Sequence, residues 1–112
     1  MKIIITAKGK EWDSKVDPRF GRTEYFFIYD EESQSVDFYD NRSIKNEAHG
    51  AGTKTAQRLS EIGAKVLITG NGPGSNASVV LEKIGVDVYL IKEDVTVKEA
   101  YDAYKAGKLS KI

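Results

Sequence analysis

The 112 residues contain no cysteine, which removes disulfides, thiolate nucleophiles and every cysteine-ligated zinc or iron–sulfur site. Histidine occurs once, as His49, so a metal ion would rest on one imidazole and on ligands of weaker kinds. Charge of one sign is missing too: 17 basic residues stand against 17 acidic ones. A balanced chain has no overall field to draw it to nucleic acid or to an anionic membrane. No apolar run approaches the roughly 18 residues that cross a bilayer. The opening MKIIITAKG is too short for a signal peptide and goes straight into a strand pattern. The expected setting is the cytoplasm, with neither nucleic acid nor membrane as partner.

What is present suits one folded domain over residues 1–112, since 40% of the residues are hydrophobic and 30% charged, an ordinary globular mixture. Lys2 to Ala7 is a β-branched run that reads as a strand buried on both faces. The connection from Lys8 to Arg22 contains Gly9, Pro18 and Gly21, and connections of that length are usually functional. TEYFFIYD and SVDFYD flank a polar turn and read as a hairpin, the second strand at a sheet edge. From Gly52 the period becomes helical through Ala56, Leu59 and Ile62, and Gly63 stops it. Strand Lys65–Gly70, helix Ala77–Ile84, strand Val86–Ile91 and a helix opened by a Thr96/Glu99 capping box follow. The last segment, Lys108–Ile112, is expected to fray.

That order predicts an α/β fold of ribonuclease H-like topology, a mixed five-stranded sheet of order 3-2-1-4-5 with helices on its faces. The connections after the first, third and fourth strands, Lys8–Arg22, Asn41–Ala51 and Gly70–Ser75, then emerge at one edge. Open α/β sheets bind ligands there.

Each of the three connections carries candidates. In AHGAG, Gly50 and Gly52 would let an anion approach the unpaired N–H groups of a starting helix, and His49 is either a ligand or a surface cap. Asn71, Gly72, Gly74 and Ser75 make the same offer at the next helix, or simply shape its turn. Arg19 and Arg22 flank Phe20-Gly21 in a loop with five basic and three acidic residues. The arginines could hold an anion while Phe20 anchors the loop, or Phe20 could be a plug in a solvated one. Trp12 is a lid residue or an accident of the surface. GAGTKT lacks the third glycine of the dinucleotide fingerprint, and no P-loop tripeptide occurs. The first strand, Ile3-Ile4-Ile5-Thr6, has no carboxylate for a two-metal nuclease, and a pairing of Ser75 with His49 lacks a nucleophile elbow and a third member. No enzyme activity is expected.

VDPRFGRTEYFFIYD, AHGAGTKTAQRLSEIGAKVLITGNGPGSNASVVLEKIGVDVYLI and TVKEAYDAYKAGKL together resemble the dinitrogenase iron–molybdenum cofactor biosynthesis family, which comprises NifX, NafY, the C-terminal part of NifB and small stand-alone members. The resemblance implies a ribonuclease H-like fold. It also implies a non-catalytic carrier of the iron–molybdenum cofactor or an iron–sulfur precursor cluster, exchanged with a cluster-donor or acceptor protein. It assigns His49 as metal ligand, and the loop residues Arg19, Phe20, Arg22, Gly50, Gly52, Asn71, Gly72, Gly74 and Ser75 read above would form the surrounding site. The alternatives are a module for phosphorylated small molecules or nucleotides, and a protein-interaction domain. The expected state is a monomer, or a weak dimer through the Ser35–Asp40 edge.

Overall fold

The computed structural model describes residues 1–42, 51–72 and 75–112, the side chains of 51–53 and 75–76 excepted. In chain order the elements are β1 (Lys2–Ala7), β2 (Tyr25–Asp30), β3 (Ser35–Asp40), α1 (Ala51–Ile62), β4 (Ala64–Thr69), α2 (Ser75–Ile84), β5 (Asp87–Leu90), α3 (Val97–Lys105) and β6 (Ser110–Lys111). Ile3, Ile4 and Ile5 are fully buried, because β1 lies between antiparallel β2 and parallel β4 with packing on both faces. On one face Ile4, Phe26, Leu67 and Val88 meet Ala56 and Leu59 of α1 and Ala77 and Leu81 of α2. On the other, Ile3, Ile5, Phe27, Val66 and Ile68 meet Val97 and Ala100 of α3. Each such isoleucine contributes about 1.5–3 kcal/mol through burial.

The order is β3-β2-β1-β4-β5-β6. The expected ribonuclease H-like arrangement is present, with six strands rather than five. The extra strand is the segment expected to fray: Ser110 and Lys111 pair antiparallel with Leu90 and Tyr89, and Ile112 N–H donates to Val88 O at 2.9 Å. Gly107, at φ 73°, turns the chain back after α3, and β5 offers an otherwise unpaired edge. Two residues are too few to show a strand period, so only the tertiary context reveals this one.

Local signals elsewhere agree with the sequence reading. Thr96 Oγ1 accepts the Glu99 N–H at 3.2 Å and Glu99 Oε1 accepts the Thr96 N–H at 3.0 Å, a closed capping box. β3 is an edge, with Val36 44% and Phe38 43% exposed. Asn41 N–H donates to Glu24 O. Counting the antiparallel alternation back from that bond puts the Phe38 N–H on the free side. There Asp37 Oδ1 accepts it at 2.8 Å. No helix among the described residues is long and apolar enough to cross a membrane.

Candidate functional site

β1 and β4 are parallel, and Ala7 and Asp40 both lie against Tyr25. The carboxyl ends of β1, β3 and β4 therefore share one edge, and α1 and α2 begin there. Neither helix has an acidic residue in its first turn, so neither dipole's positive end is compensated from within its own first turn.

Across this edge runs the connection from β1 to β2, and it is bonded along its length. Val16 bridges Ala7, and its N–H donates to Val95 O at 2.9 Å. Asp17 N–H donates to Thr6 O at 2.9 Å. Thr6 Oγ1 in turn donates to Asp17 O at 2.6 Å and lies 2.9 Å from Thr69 Oγ1, tying β1 to β4 under the loop. Asn71 N–H donates to Pro18 O at 2.7 Å. The approach requires a glycine next door, because a Cβ on Gly70 would stand 2.6 Å from Pro18 Cα. The loop also serves α3: Ser14 O and Trp12 O accept the first N–H groups of that helix, from Val97 at 2.8 Å and Lys98 at 2.9 Å.

Two aromatic rings fasten this strap on opposite faces of the sheet. Trp12 lies 4.7 Å from the Phe27 ring, 5.1 Å from Tyr29 and 5.7 Å from Tyr101. Phe20, 5% exposed, joins the aliphatic core beneath α1 and α2. Trp12 is thus neither a lid nor a surface accident. Phe20, expected to anchor the loop beside the arginines or to plug it, does turn inward and is buried in the core.

Arg19 stands beside Asn71 through the Pro18–Asn71 bond. Its guanidinium forks onto Asp17, Nε to Oδ1 at 3.0 Å and Nη2 to Oδ2 at 2.9 Å. Asp17 also accepts the N–H of Arg19 at 3.0 Å and of Glu24 at 3.3 Å. Hydrogen bonding and charge from Asp17 raise the Arg19 pKa above its ordinary value, so the guanidinium stays charged. Arg22 is half-buried, and Asn71 and Gly72 are exposed. Gly52 lies in the first turn of α1, and Ser75 opens α2. His49, Gly50 and Gly74 lie outside the described residues.

Thr6, Asp17, Thr69 and Gly70 were not singled out as candidates, although Asp17 and Gly70 lie in two of the connections expected at this edge. The Asp-Pro pair was the one available signal, a favoured turn opening. Asn41 is fully buried, with Nδ2 donating to Thr23 O at 3.1 Å. Its Oδ1, and Oγ1 of the equally buried Thr55, have no hydrogen-bond partner among the described residues. A groove of about 470 Å³ between α2 and β5 is lined by Leu81, Val86, Val88 and Ile112, among others, and by no described residue of the three connections. No group of three or more histidine, aspartate or glutamate side chains suited to a metal ion occurs among the described residues.

A small open α/β sheet with backbone donors and arginine gathered at its carboxyl edge defines the class. The chain belongs to the dinitrogenase iron-molybdenum cofactor family, whose model matches residues 1–107. It is 31% identical over 116 residues to the uncharacterized protein MJ0580 of Methanocaldococcus jannaschii, covering 100% of this chain and 92% of that one. Among solved structures, the apo form of the orange protein from Desulfovibrio gigas superimposes with a TM-score of 0.92 at 35% identity, over 99% of this chain and 92% of that one. A Thermotoga protein provisionally called NifB (TM1290) follows with a TM-score of 0.84 at 42% identity, over 97% and 90%.

Proposed function

We propose that this protein is a non-catalytic carrier that holds a metal–sulfur cluster, the iron–molybdenum cofactor or an iron–sulfur precursor, as anionic cargo at the carboxyl edge of its sheet. The observation that carries the reading is the convergence at that edge of two helix N-termini whose first turns hold no acidic residue with the forked Arg19, in a chain of this family. The donor set fits an anion held by N–H groups better than a metal held by many ligands. With no cysteine in the sequence, thiolate coordination is excluded, and His49 is the one imidazole that can ligate. Arg19, Arg22, Asn71 and the amides around Gly50, Gly52, Gly72, Gly74 and Ser75 surround the cargo in this reading. Loose holding suits handover between a donor and an acceptor protein in the cytoplasm.

Anaerobic gel filtration with isolated iron–molybdenum cofactor, reading metal and protein absorbance together, tests this. Co-elution with wild type that is lost in His49→Ala is expected. No co-elution with wild type overturns the carrier reading, and equal retention by the variant removes His49 from the site. The second reading, a phosphorylated small molecule held by the same N–H donors, predicts thermal stabilisation by a nucleotide and phosphate panel. A ligand at 100 times its dissociation constant stabilises by about 2.7 kcal/mol.

A further inference from the structure

We infer that Asp17 is the positioning residue of the edge: it holds the Arg19 guanidinium ready for an anion, so that ligand binding need not order a free arginine. This rests on the reading of the edge as an anion site. Asp17 is 0% exposed while Arg19 is 51% exposed, so the carboxylate is walled into the fold and the cation stands at the surface. Asp17 accepts four hydrogen bonds: both fork contacts, the Arg19 N–H and the Glu24 N–H. Its own backbone is tied to Thr6 in both directions. The fork uses Nε and one Nη2 hydrogen, and Nη1 remains to donate. The next residue, Pro18, accepts the Asn71 N–H at 2.7 Å, so the oriented guanidinium is fixed relative to the turn that opens α2.

Positioning of Arg19 by Asp17 has an effect opposite in sign to simple charge counting. Asp17→Asn removes a negative charge beside the site, and attraction alone would tighten anion binding. If Asp17 positions Arg19, the variant instead weakens it roughly fivefold, the cost of ordering one long side chain on binding. The probe is molybdate, a simple tetrahedral oxyanion, titrated while the Arg19 Nε–H signal is followed by NMR. In wild type that signal is expected to be rigid and to shift with molybdate. In Asp17→Asn it is expected to become mobile and the dissociation constant to rise. In an Arg19→Ala background, Asp17→Asn is expected to have no further effect.

Unchanged or tighter binding by Asp17→Asn overturns the inference, as does a weakening that persists without Arg19, which would mark a merely structural role. Should Asp17→Asn fail to fold, Arg19→Lys decides: it keeps the charge and loses the fork, and wild-type affinity in it overturns the proposal. Absence of any molybdate shift at Arg19 in wild type overturns it as well. Failure of cofactor co-elution with the molybdate response intact removes the carrier reading and leaves this one standing.

Discussion

The strap between β1 and β2 ends in different surroundings on the two faces of the sheet. Beneath α1 and α2, Phe20 belongs to a buried, mostly aliphatic cluster with Ile4, Leu59 and Leu81. Beneath α3, Trp12 is half-buried in a cluster of rings. One member of that cluster, Tyr101, donates its hydroxyl to Glu31 at 2.7 Å, and Lys105 completes the group at 3.0 Å from the same oxygen. The contribution of the first cluster follows from volume and shape. The second carries polar tips to its rim and is coupled to pH. One loop is therefore secured by two kinds of force, and the candidate site lies between them.

The largest expected effect is at the buried anchor. Phe20→Ala is expected to cost about 3–5 kcal/mol in urea denaturation. Next comes Gly70→Ala, where the new Cβ meets the Pro18 backbone and must push the strap off the β4 turn at about 2–3 kcal/mol. Loss of the Arg19 Nε–H rigidity should accompany it. Trp12→Ala is expected to cost about 2 kcal/mol, less than Phe20→Ala because the ring is already partly exposed. Equal costs would erase the contrast between the anchors.

The smallest effect is that of Tyr101→Phe, about 1 kcal/mol for one hydrogen bond to a charged group, and it sharpens the contrast through pH. The Tyr101 hydroxyl first, then Lys105, holds the Glu31 carboxyl below its usual range. The stability Glu31 contributes is present above the unfolded value near pH ~4.3 and is lost as pH falls below it. Burial first, then Glu31, raises the Tyr101 phenol, so its contribution is full below pH ~10 and is lost as pH rises above that unfolded value. Melting temperatures from about pH 3 to about pH 11 should show both slopes in wild type. Tyr101→Phe should flatten the acid slope and lose the alkaline contribution of Tyr101, while Phe20→Ala leaves both slopes in place.

Much of the fold is local enough to read directly from the chain. Ile3-Ile4-Ile5 announces a central strand, Thr96 and Glu99 announce a helix start, and Gly63, Gly85 and Gly107 follow the helices with φ between 73° and 85°. What escaped depends on distant partners. Two residues of β6 acquire their strand character from the edge of β5. Thr6 looks like one more β-branched core residue until its hydroxyl meets Asp17 and Thr69. Gly70 looks like ordinary turn chemistry until Pro18 stands against it. The edge that gathers Arg19, Asn71 and Gly72 follows from strand order and was legible. The inward turn of Phe20 was expected on either reading of its loop, but the fork of Arg19 onto Asp17 was not, because side-chain direction in a long loop is decided by what the loop lies on.

The carboxylate of Asp37 has a consequence for crowded solution. An open strand ordinarily offers its free N–H groups to any extended segment that drifts past, the first step of sheet-wise aggregation. At Phe38 that invitation is already answered by a neighbour two atoms from the backbone, so an arriving strand would have to evict an ion to gain one hydrogen bond. The exposed ring of Phe38 thus sits on an outer strand whose backbone is, at that residue, already occupied.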